Sequence, residues 1–246
     1  MYQVEICCGS YQDAQAAYHG GARRIELNSA LSVGGLTPSL TVLRRIKKEM
    51  DLKVICMVRI RAGGFCFDSM DIELMMEQAM VLLEAGADGI AFGFLTKEGD
   101  IDYKSTKKMT DLIHAYHKEA VFHRAIDVTK DIDQAMMDLI SCGIDRVLTS
   151  GQKEKAMEGI QNIARLQKLF GEKIEILAGS GMNALNAREM LMTTGIQQIH
   201  SSCKSFKKDP TTQRGNVSYA YLSAPHEMDY DIVDEDLVKK LVEAVS

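Results

Sequence analysis

The chain contains the stretch Gly21-Ala22-Arg23-Arg24-Ile25-Glu26-Leu27, in which a glycine and a short link precede an apolar run. The same pattern returns as Gly86-Ala87-Asp88-Gly89-Ile90-Ala91-Phe92, Gly143-Ile144-Asp145-Arg146-Val147-Leu148-Thr149 and Gly195-Ile196-Gln197-Gln198-Ile199-His200-Ser201. Glycine just past a helix adopts the left-handed conformation without a Cβ clash, so each copy indicates the end of a helix and the start of a strand. A unit that recurs along a chain predicts a repetitive architecture.

Further strands and helices alternate with these glycine units. Four more runs have the apolar, β-branched composition of strands buried on both faces: Val4–Cys8, Val54–Arg59, Val121–Ala125 and Ile174–Ala178. Apolar residues recur at helical spacing between strands, most clearly in Met70–Leu83, Ile160–Phe170 and Asp234–Val245. Eight strands, each followed by a helix, fit a closed (β/α)8 TIM barrel better than a doubly wound sheet. We therefore expect one α/β domain over residues 1–246, with a long polar loop at 204–231 before the last helix.

Composition and charge exclude several classes of function. Lys and Arg total 29 against 34 Asp and Glu, a formal net charge of −5, so we expect neither a nucleic-acid partner nor binding to anionic membranes. No apolar run is long enough to predict a transmembrane helix, and the N-terminus does not resemble a signal peptide. The six cysteines form no CxxC pair, which is typical of free thiols in the cytoplasm. A homo-oligomer is compatible with this composition.

The polar residues at the carboxyl ends of the predicted strands are the candidate site residues, because barrel sites form there. Aligned on their glycines, the repeats place Glu26 and His200 at equivalent positions, so we expect both to point into the barrel. Such groups are costly inside a barrel unless partnered, which indicates either a functional site or a buried ion-pair network that sets strand register. The catalytic candidates are Glu5, Glu26, Arg59, His123, Asp127 and His200. The ligand-binding candidates are Asn28, Arg61, Arg124, Thr149, Ser150, Gly179, Ser180, Gly181 and Ser202.

A glycine-rich stretch suggests an anion site. Gly179-Ser180-Gly181-Met182-Asn183 follows the seventh predicted strand and is expected to open a helix. Glycines there expose backbone N–H groups, and barrels often hold a phosphate between the loops after strands seven and eight. With Ser202 and Lys204 in the next loop, the stretch predicts a small anionic ligand. A plain strand-to-helix turn capped by Asn183 is the structural alternative.

Two kinds of metal site are compatible with the residue types. Cu(I) prefers thiolate ligands, and Cys7 and Cys8 are the adjacent pair of cysteines. Neighbours on a strand point to opposite faces, however, so core packing is the alternative for both thiols. A divalent cation such as Zn²⁺ or Mn²⁺ suits a mixture of carboxylates and imidazoles. Its candidate ligands are Glu5, Glu26, His123 and His200.

Several short motifs follow one another along the chain. They are Val4-Glu5-Ile6-Cys7, Arg24-Ile25-Glu26-Leu27, Gly34-Gly35-Leu36-Thr37-Pro38-Ser39, Phe92-Gly93-Phe94-Leu95, Phe122-His123-Arg124-Ala125-Ile126-Asp127, Val147-Leu148-Thr149-Ser150-Gly151, Ala178-Gly179-Ser180-Gly181-Met182-Asn183 and Ile199-His200-Ser201-Ser202. In this order they resemble the CutC copper homeostasis family. The resemblance covers residues 1 to about 205 and implies a cytoplasmic TIM barrel with a role in copper tolerance and Cu(I) binding. It implies no established reaction. One family loop, Arg-Pro-Arg-Gly-Gly-Asp-Phe, appears here as Arg59-Ile60-Arg61-Ala62-Gly63-Gly64-Phe65 and lacks the proline and the aspartate.

These observations support two main functions. A copper-handling protein would bind Cu(I) through Cys7 and Cys8 near the barrel mouth, and the family resemblance supports this hypothesis. An enzyme acting on a small anionic or phosphorylated metabolite would use the carboxylates and imidazoles at the strand ends as acid–base groups. The number of polar groups that converge there supports the enzyme. A non-catalytic scaffold is a third hypothesis and predicts a poorly ordered barrel mouth.

Overall fold

The strands close into a barrel in the computed structural model, which describes residues 2–246. Eight parallel strands are hydrogen-bonded in chain order, and the eighth pairs back with the first. They are β1 (Gln3–Cys8), β2 (Arg24–Leu27), β3 (Lys53–Met57), β4 (Gly89–Phe92), β5 (Glu119–Phe122), β6 (Arg146–Thr149), β7 (Glu175–Ala178) and β8 (Gln198–Ser201). The predicted (β/α)8 barrel is confirmed.

Eight helices surround the barrel. They are α1 (Tyr11–His19), α2 (Leu40–Glu49), α3 (Ser69–Glu84), α4 (Tyr103–Ala115), α5 (Ile132–Cys142), α6 (Ile160–Phe170), α7 (Ala187–Thr194) and α8 (Glu235–Ala244). All four repeat glycines have positive φ, at 97° for Gly21 and Gly86, 83° for Gly143 and 78° for Gly195. The left-handed turn expected between helix and strand is therefore present in each unit. Within residues 2–246, the helices are too short or too polar to span a bilayer.

The barrel interior is apolar on one side and polar on the other. A small apolar cluster of Ile55, Met57, Ala91 and Val121 lies apart from the main core between strands and helices. Strand register continues the same layers into charged residues, because Glu26 pairs with Ile55 and Cys7 pairs with Glu26. On β8, His200 is the register partner of Glu5. Ionisable groups are thereby concentrated around β1, β2 and β8.

The segment 204–231 has more regular structure than the long loop predicted for it. Strand β9 (Lys204–Lys208) pairs antiparallel with β12 (Asp229–Val233), and β10 (Gln213–Arg214) forms a short hairpin with β11 (Val217–Ser218). We call the β9–β12 pair the ribbon. Its strands are mostly exposed or half-buried, so they lack the apolar composition that identifies a buried barrel strand.

Candidate metal and ligand site

A pocket of about 290 Å³ opens at the carboxyl ends of the barrel strands. Four of the six catalytic candidates line it, namely Glu26, Arg59, His123 and His200. Cys7 contributes a thiol to the same wall. The parallel strands bring these distant residues together because their carboxyl ends all open at one face of the barrel.

Cys7, Glu26 and His200 converge in this pocket, and we refer to them as the triad. One ligand atom from each lies within 4.8 Å of the other two. Cys7 Sγ is 3.8 Å from Glu26 Oε2, and Asn28 Nδ2 donates a hydrogen bond of 3.0 Å to the same oxygen. Asn28, which was predicted to bind a ligand, therefore holds the Glu26 carboxylate in position through this hydrogen bond. The triad is the arrangement of the described residues that best suits a metal ion.

Glu5 orients the imidazole of His200 and does not itself line the pocket. His200 Nδ1 and Glu5 Oε1 are 2.9 Å apart, and both side chains are buried. Burial would raise the pKa of Glu5, but Arg24, the hydrogen bond from His200 and Arg146 together lower that pKa to about 2. Burial likewise disfavours a charged imidazole, yet the neighbouring thiol and carboxylates raise the pKa of His200 well above its ordinary value. Since Glu5 holds Nδ1, Nε2 is the nitrogen that remains for a ligand.

Only one of the two adjacent cysteines belongs to the site. Cys8 lies on the other face of β1, fully buried in the core, with its thiol 3.6 Å from the carbonyl oxygen of Ile6. Burial raises the pKa of Cys8 well above the usual thiol range, and burial also raises the pKa of Cys7. The predicted pair of Cys7 and Cys8 is therefore wrong as a joint metal site, because consecutive strand residues face opposite sides.

His123 lines the pocket as a neutral hydrogen-bond donor. The backbone N–H of Ala125 donates to its Nδ1 at 3.2 Å, so the imidazole proton lies on Nε2. Burial, with a contribution from Arg59, lowers the pKa of His123 to about 3 and keeps the ring uncharged. Gly93 makes room for the ring, since a Cβ at that position would lie 2.5 Å from His123 Cε1. Within residues 2–246, Nε2 has no hydrogen-bond partner.

The four predicted ligands of a divalent cation do not form one site. A protonated Nε2 offers no lone pair to a metal, which removes His123 from the set. Glu5 is already engaged by His200 and by Arg24, whose Nε lies 2.7 Å from Glu5 Oε2. Of the four, Glu26 and His200 remain, and the structure adds Cys7 to them.

Asp127 has a structural role in place of the predicted catalytic one. Its carboxylate accepts hydrogen bonds from Thr149 Oγ1 at 2.6 Å, Ser150 N at 3.0 Å and Gln152 N at 3.1 Å. Arg124 Nε donates to it at 2.9 Å, although part of Arg124 still borders the pocket. These bonds join the loops after β5 and β6. Thr149 and Ser150, which were predicted to bind a ligand, are therefore hydrogen-bonded to Asp127 instead.

The two arginines after β3 are also occupied by the protein. Arg59 donates to the carbonyl oxygens of Val33 at 3.0 Å and Gly35 at 3.1 Å, which joins the loops after β2 and β3. Arg61 is exposed, forms an ion pair with Asp71 at 3.1 Å and does not line the pocket. Local acceptors therefore engage most of the donors of both guanidiniums. Arg59 still lines the pocket, and within residues 2–246 its Nε has no hydrogen-bond partner.

The predicted anion loop lies at the pocket, although its helix begins later than expected. Ser180, Gly181 and Ser202 line the cavity together with Lys204. Gly179 does not line it, because it packs so closely that a Cβ would lie 2.6 Å from Leu148 Cδ1.

The helix that follows this loop, α7, starts at Ala187 with Asn186 before it. Asn183 is therefore not the helix cap that the structural alternative to an anion site required. Asn183 Oδ1 accepts from Leu185 N at 2.9 Å in a turn that precedes the helix.

Sequence reasoning missed two buried arginines at the amino end of the barrel. Arg24 is paired with Glu5, and Arg146 Nη2 lies 3.1 Å from Glu119 Oε2 and 3.6 Å from Glu5 Oε2. Both arginines stand third after the glycine of their repeat, two residues before the position of Glu26 and on the same face. The glycine alignment therefore indicated that these arginines also point into the barrel, one layer below Glu26.

Comparison with known proteins identifies the family. The model of the CutC family matches residues 2–205. The chain belongs to the CutC family. A family protein CutC of Treponema denticola is 43% identical over 245 residues, which cover 99% of this chain and 98% of the relative.

Solved structures agree with this assignment. A CutC from Streptococcus agalactiae, named for copper homeostasis, has a TM-score of 0.77 at 29% identity and covers 82% of this chain and 99% of its own. Phosphoribosyl anthranilate isomerase from Thermococcus kodakaraensis has a TM-score of 0.58 at 13% identity, covering 100% of this chain and 99% of its own. The isomerase shares only the barrel fold with this CutC-family chain.

Proposed function

We propose that this CutC-family protein handles Cu(I) and binds the ion at the barrel mouth through the Cys7 thiolate and His200 Nε2. The convergence of Cys7, Glu26 and His200 within 4.8 Å is the observation that supports this site. The relative from Streptococcus agalactiae named for copper homeostasis supports the choice of metal. Copper is here the cargo of the protein.

The donor set suits a soft ion through its thiolate and its imidazole. Met57 lines the same pocket and places a thioether on its wall. A carboxylate is a harder ligand, so Glu26 contributes negative charge near the ion and accepts the hydrogen bond of the Cys7 thiol when no ion is bound. Burial raises the pKa of Cys7, and the neighbouring groups raise that of His200, so binding must release protons from both. We therefore expect Cu(I) affinity to increase with pH.

A competition titration of the reduced protein against a Cu(I) chelator tests the site. We expect the unmodified protein and Cys8→Ser to bind Cu(I) equally, because Cys8 points into the core. Cys7→Ser should weaken binding by about 100-fold or more, since it removes the soft ligand; changes outside the first ligands typically cost roughly 10–100-fold. Equal affinity of Cys7→Ser and Cys8→Ser would exclude the proposed site.

One observation favours a second function, an enzyme acting on a small anionic or phosphorylated metabolite. Glu5 orients His200 beside Cys7, an order of carboxylate, imidazole and thiol that also activates nucleophiles. His123 lines the same pocket but is not one of the copper ligands, so His123→Leu, which removes its N–H donor, distinguishes the two functions. A copper carrier should retain its affinity for Cu(I) in this variant, whereas an enzyme should lose turnover in a screen of phosphorylated metabolites.

We also propose a cytoplasmic location. All six cysteines are free thiols, and Cys66 is exposed. Exposed free thiols persist in a reducing compartment and are oxidised outside it.

A further inference from the structure

We propose that the pocket also binds a small organic molecule that carries an oxyanion and, a few bonds away, a carbonyl or hydroxyl oxygen. The oxyanion would occupy the anion end, formed by Ser180, Gly181, Ser202 and Lys204. The second oxygen would accept a hydrogen bond from His123 Nε2. This ligand uses groups outside the Cys7, Glu26 and His200 triad, so its binding does not depend on copper.

The anion end combines a positive charge with available backbone donors. Lys204 borders the cavity with an exposed side chain, and its ammonium is 3.1 Å from Oδ2 of the half-buried Asp231, which also lines the pocket. An ammonium has three N–H donors, so Lys204 can bind an incoming anion as well as Asp231. Within residues 2–246, the backbone N–H groups of Ser180, Gly181 and Ser202 donate no hydrogen bond to the protein. Ser180 and Gly181 have φ of 81° and 74°, a left-handed pair of residues at the pocket wall. Successive backbone N–H groups without an acceptor in the protein are common ligands of oxyanions.

His123 supplies the independent observation that points to an organic ligand. Its side chain is only 4% exposed, it borders the same cavity, and Nε2 has no partner in the described part of the chain. Ala125 N–H occupies Nδ1, so the ring cannot change tautomer to lose this donor. A buried donor without a partner destabilises a protein, and an oxygen of a ligand would satisfy it. The donor is uncharged, and the nearby thiol and carboxyl groups disfavour a second anion, so a carbonyl or hydroxyl oxygen fits best.

The volume of the pocket indicates the size of ligand that it can enclose. A cavity of about 290 Å³ equals the liquid volume of roughly ten water molecules. A molecule with on the order of ten non-hydrogen atoms would fill it. A phosphorylated or carboxylated metabolite of three to four carbons has this size.

Calorimetric titration with inorganic phosphate, glycerol 3-phosphate and glycerol tests both ends of the pocket. Phosphate should bind, glycerol 3-phosphate should bind about five-fold more tightly because of one added hydrogen bond, and glycerol alone should not bind. Lys204→Met should lower the affinity for phosphate by about three-fold or more. Lys208→Met, on the same exposed strand but outside the pocket, should leave this affinity unchanged. No binding of either phosphate compound, or equal affinity in the two lysine variants, would overturn the anion end.

His123→Leu tests the second end, with His123→Gln as the variant that keeps a side-chain N–H donor. His123→Leu should bind phosphate normally but lose the extra affinity for glycerol 3-phosphate, and His123→Gln should retain part of it. Thermal unfolding of each variant verifies that it is folded. An unchanged preference for glycerol 3-phosphate in His123→Leu would overturn the role of His123.

Cys7→Ser separates this inference from the copper site. We expect Cys7→Ser to lose Cu(I) and to keep its affinity for glycerol 3-phosphate. If copper binding fails in the unmodified protein while glycerol 3-phosphate binds, only the proposed function is overturned. If copper binds and the phosphate compounds do not, only the proposal of an organic ligand is overturned.

Discussion

At the scale of single residues, the two histidines of the pocket have opposite protonation states for physical reasons. His200 faces carboxylates and a thiol, which raise its pKa well above the ordinary value despite burial. His123 is buried beside Arg59 and receives a backbone N–H at Nδ1, so its pKa falls to about 3. One imidazole is therefore a cation held by Glu5, and the other is a neutral donor.

The lowered pKa of His123 predicts that the stability of the folded protein depends on pH. The folded protein keeps His123 neutral down to about pH 3, whereas the unfolded chain protonates it below its ordinary pKa of 6.5. The free energy of unfolding should therefore fall as the pH drops from 6.5 towards 3. Relative to His123→Gln, the unmodified protein should lose about 3 kcal/mol between pH 7 and pH 4 in urea unfolding. Parallel pH profiles for the two proteins would contradict this prediction.

At the scale of elements, one buried carboxylate attaches the ribbon to the barrel. Asp13 on α1 is buried and accepts hydrogen bonds from Val233 N on β12 and from Gly9 N after β1, both at 2.9 Å. The ribbon carries Lys204 and Asp231 at the rim of the pocket. Asp13 therefore determines where one wall of the site lies without contacting the cavity itself.

Asp13→Ala should loosen the ribbon. The substitution leaves two backbone N–H groups without their acceptor, and we expect a loss of about 2–4 kcal/mol in the free energy of unfolding. Hydrogen exchange of the amides of 229–233 should accelerate more than exchange in the barrel strands. Gln12→Ala, at the exposed neighbouring position of α1, serves as the control and should change stability by less than about 0.5 kcal/mol. Equal exchange in both variants would contradict the role of Asp13.

At the scale of the whole molecule, a charge network around the buried Arg146 joins four strands of the barrel. Arg146 on β6 is 1% exposed and lies 3.1 Å from Glu119 on β5 and 3.6 Å from both Glu5 on β1 and Glu175 on β7. Glu5 connects this network to His200 in the pocket. Closure of the barrel and orientation of the site therefore depend on the same carboxylate.

Arg146→Met should destabilise the whole barrel. Glu5 keeps Arg24 and His200 as partners, whereas Glu119 and Glu175 lose a buried cation, so we expect a loss of about 1.5–3 kcal/mol in the free energy of unfolding. The matched control is Arg165→Met, which breaks an ion pair with Asp133 that is 40–44% exposed and should cost less than about 1 kcal/mol. Thermal and urea unfolding measure the loss of stability in both variants. Similar losses in the two variants would show that the interior network contributes no more than a surface pair.

Local sequence was sufficient to predict the barrel and part of its site. The left-handed conformation of the four repeat glycines follows from their lack of a Cβ, so each marked a helix end correctly. The period of two along a strand then placed Glu26 and His200 inside the barrel. These inferences succeeded because the φ/ψ preference of a residue and the face of a strand depend on near neighbours in the chain.

The role of each polar side chain was decided by the tertiary structure. Asp127 and Arg59 have residue types typical of catalysis, yet acceptors and donors 22 or more residues away occupy them. Cys7 and Cys8 are adjacent in sequence, and only the first reaches the triad. The sequence by itself determined the repeating unit, the closed barrel and the ring of polar strand ends. Which of those groups remain available to a ligand was determined by contacts between loops far apart in the chain, because hydrogen-bond capacity is used up by spatial neighbours.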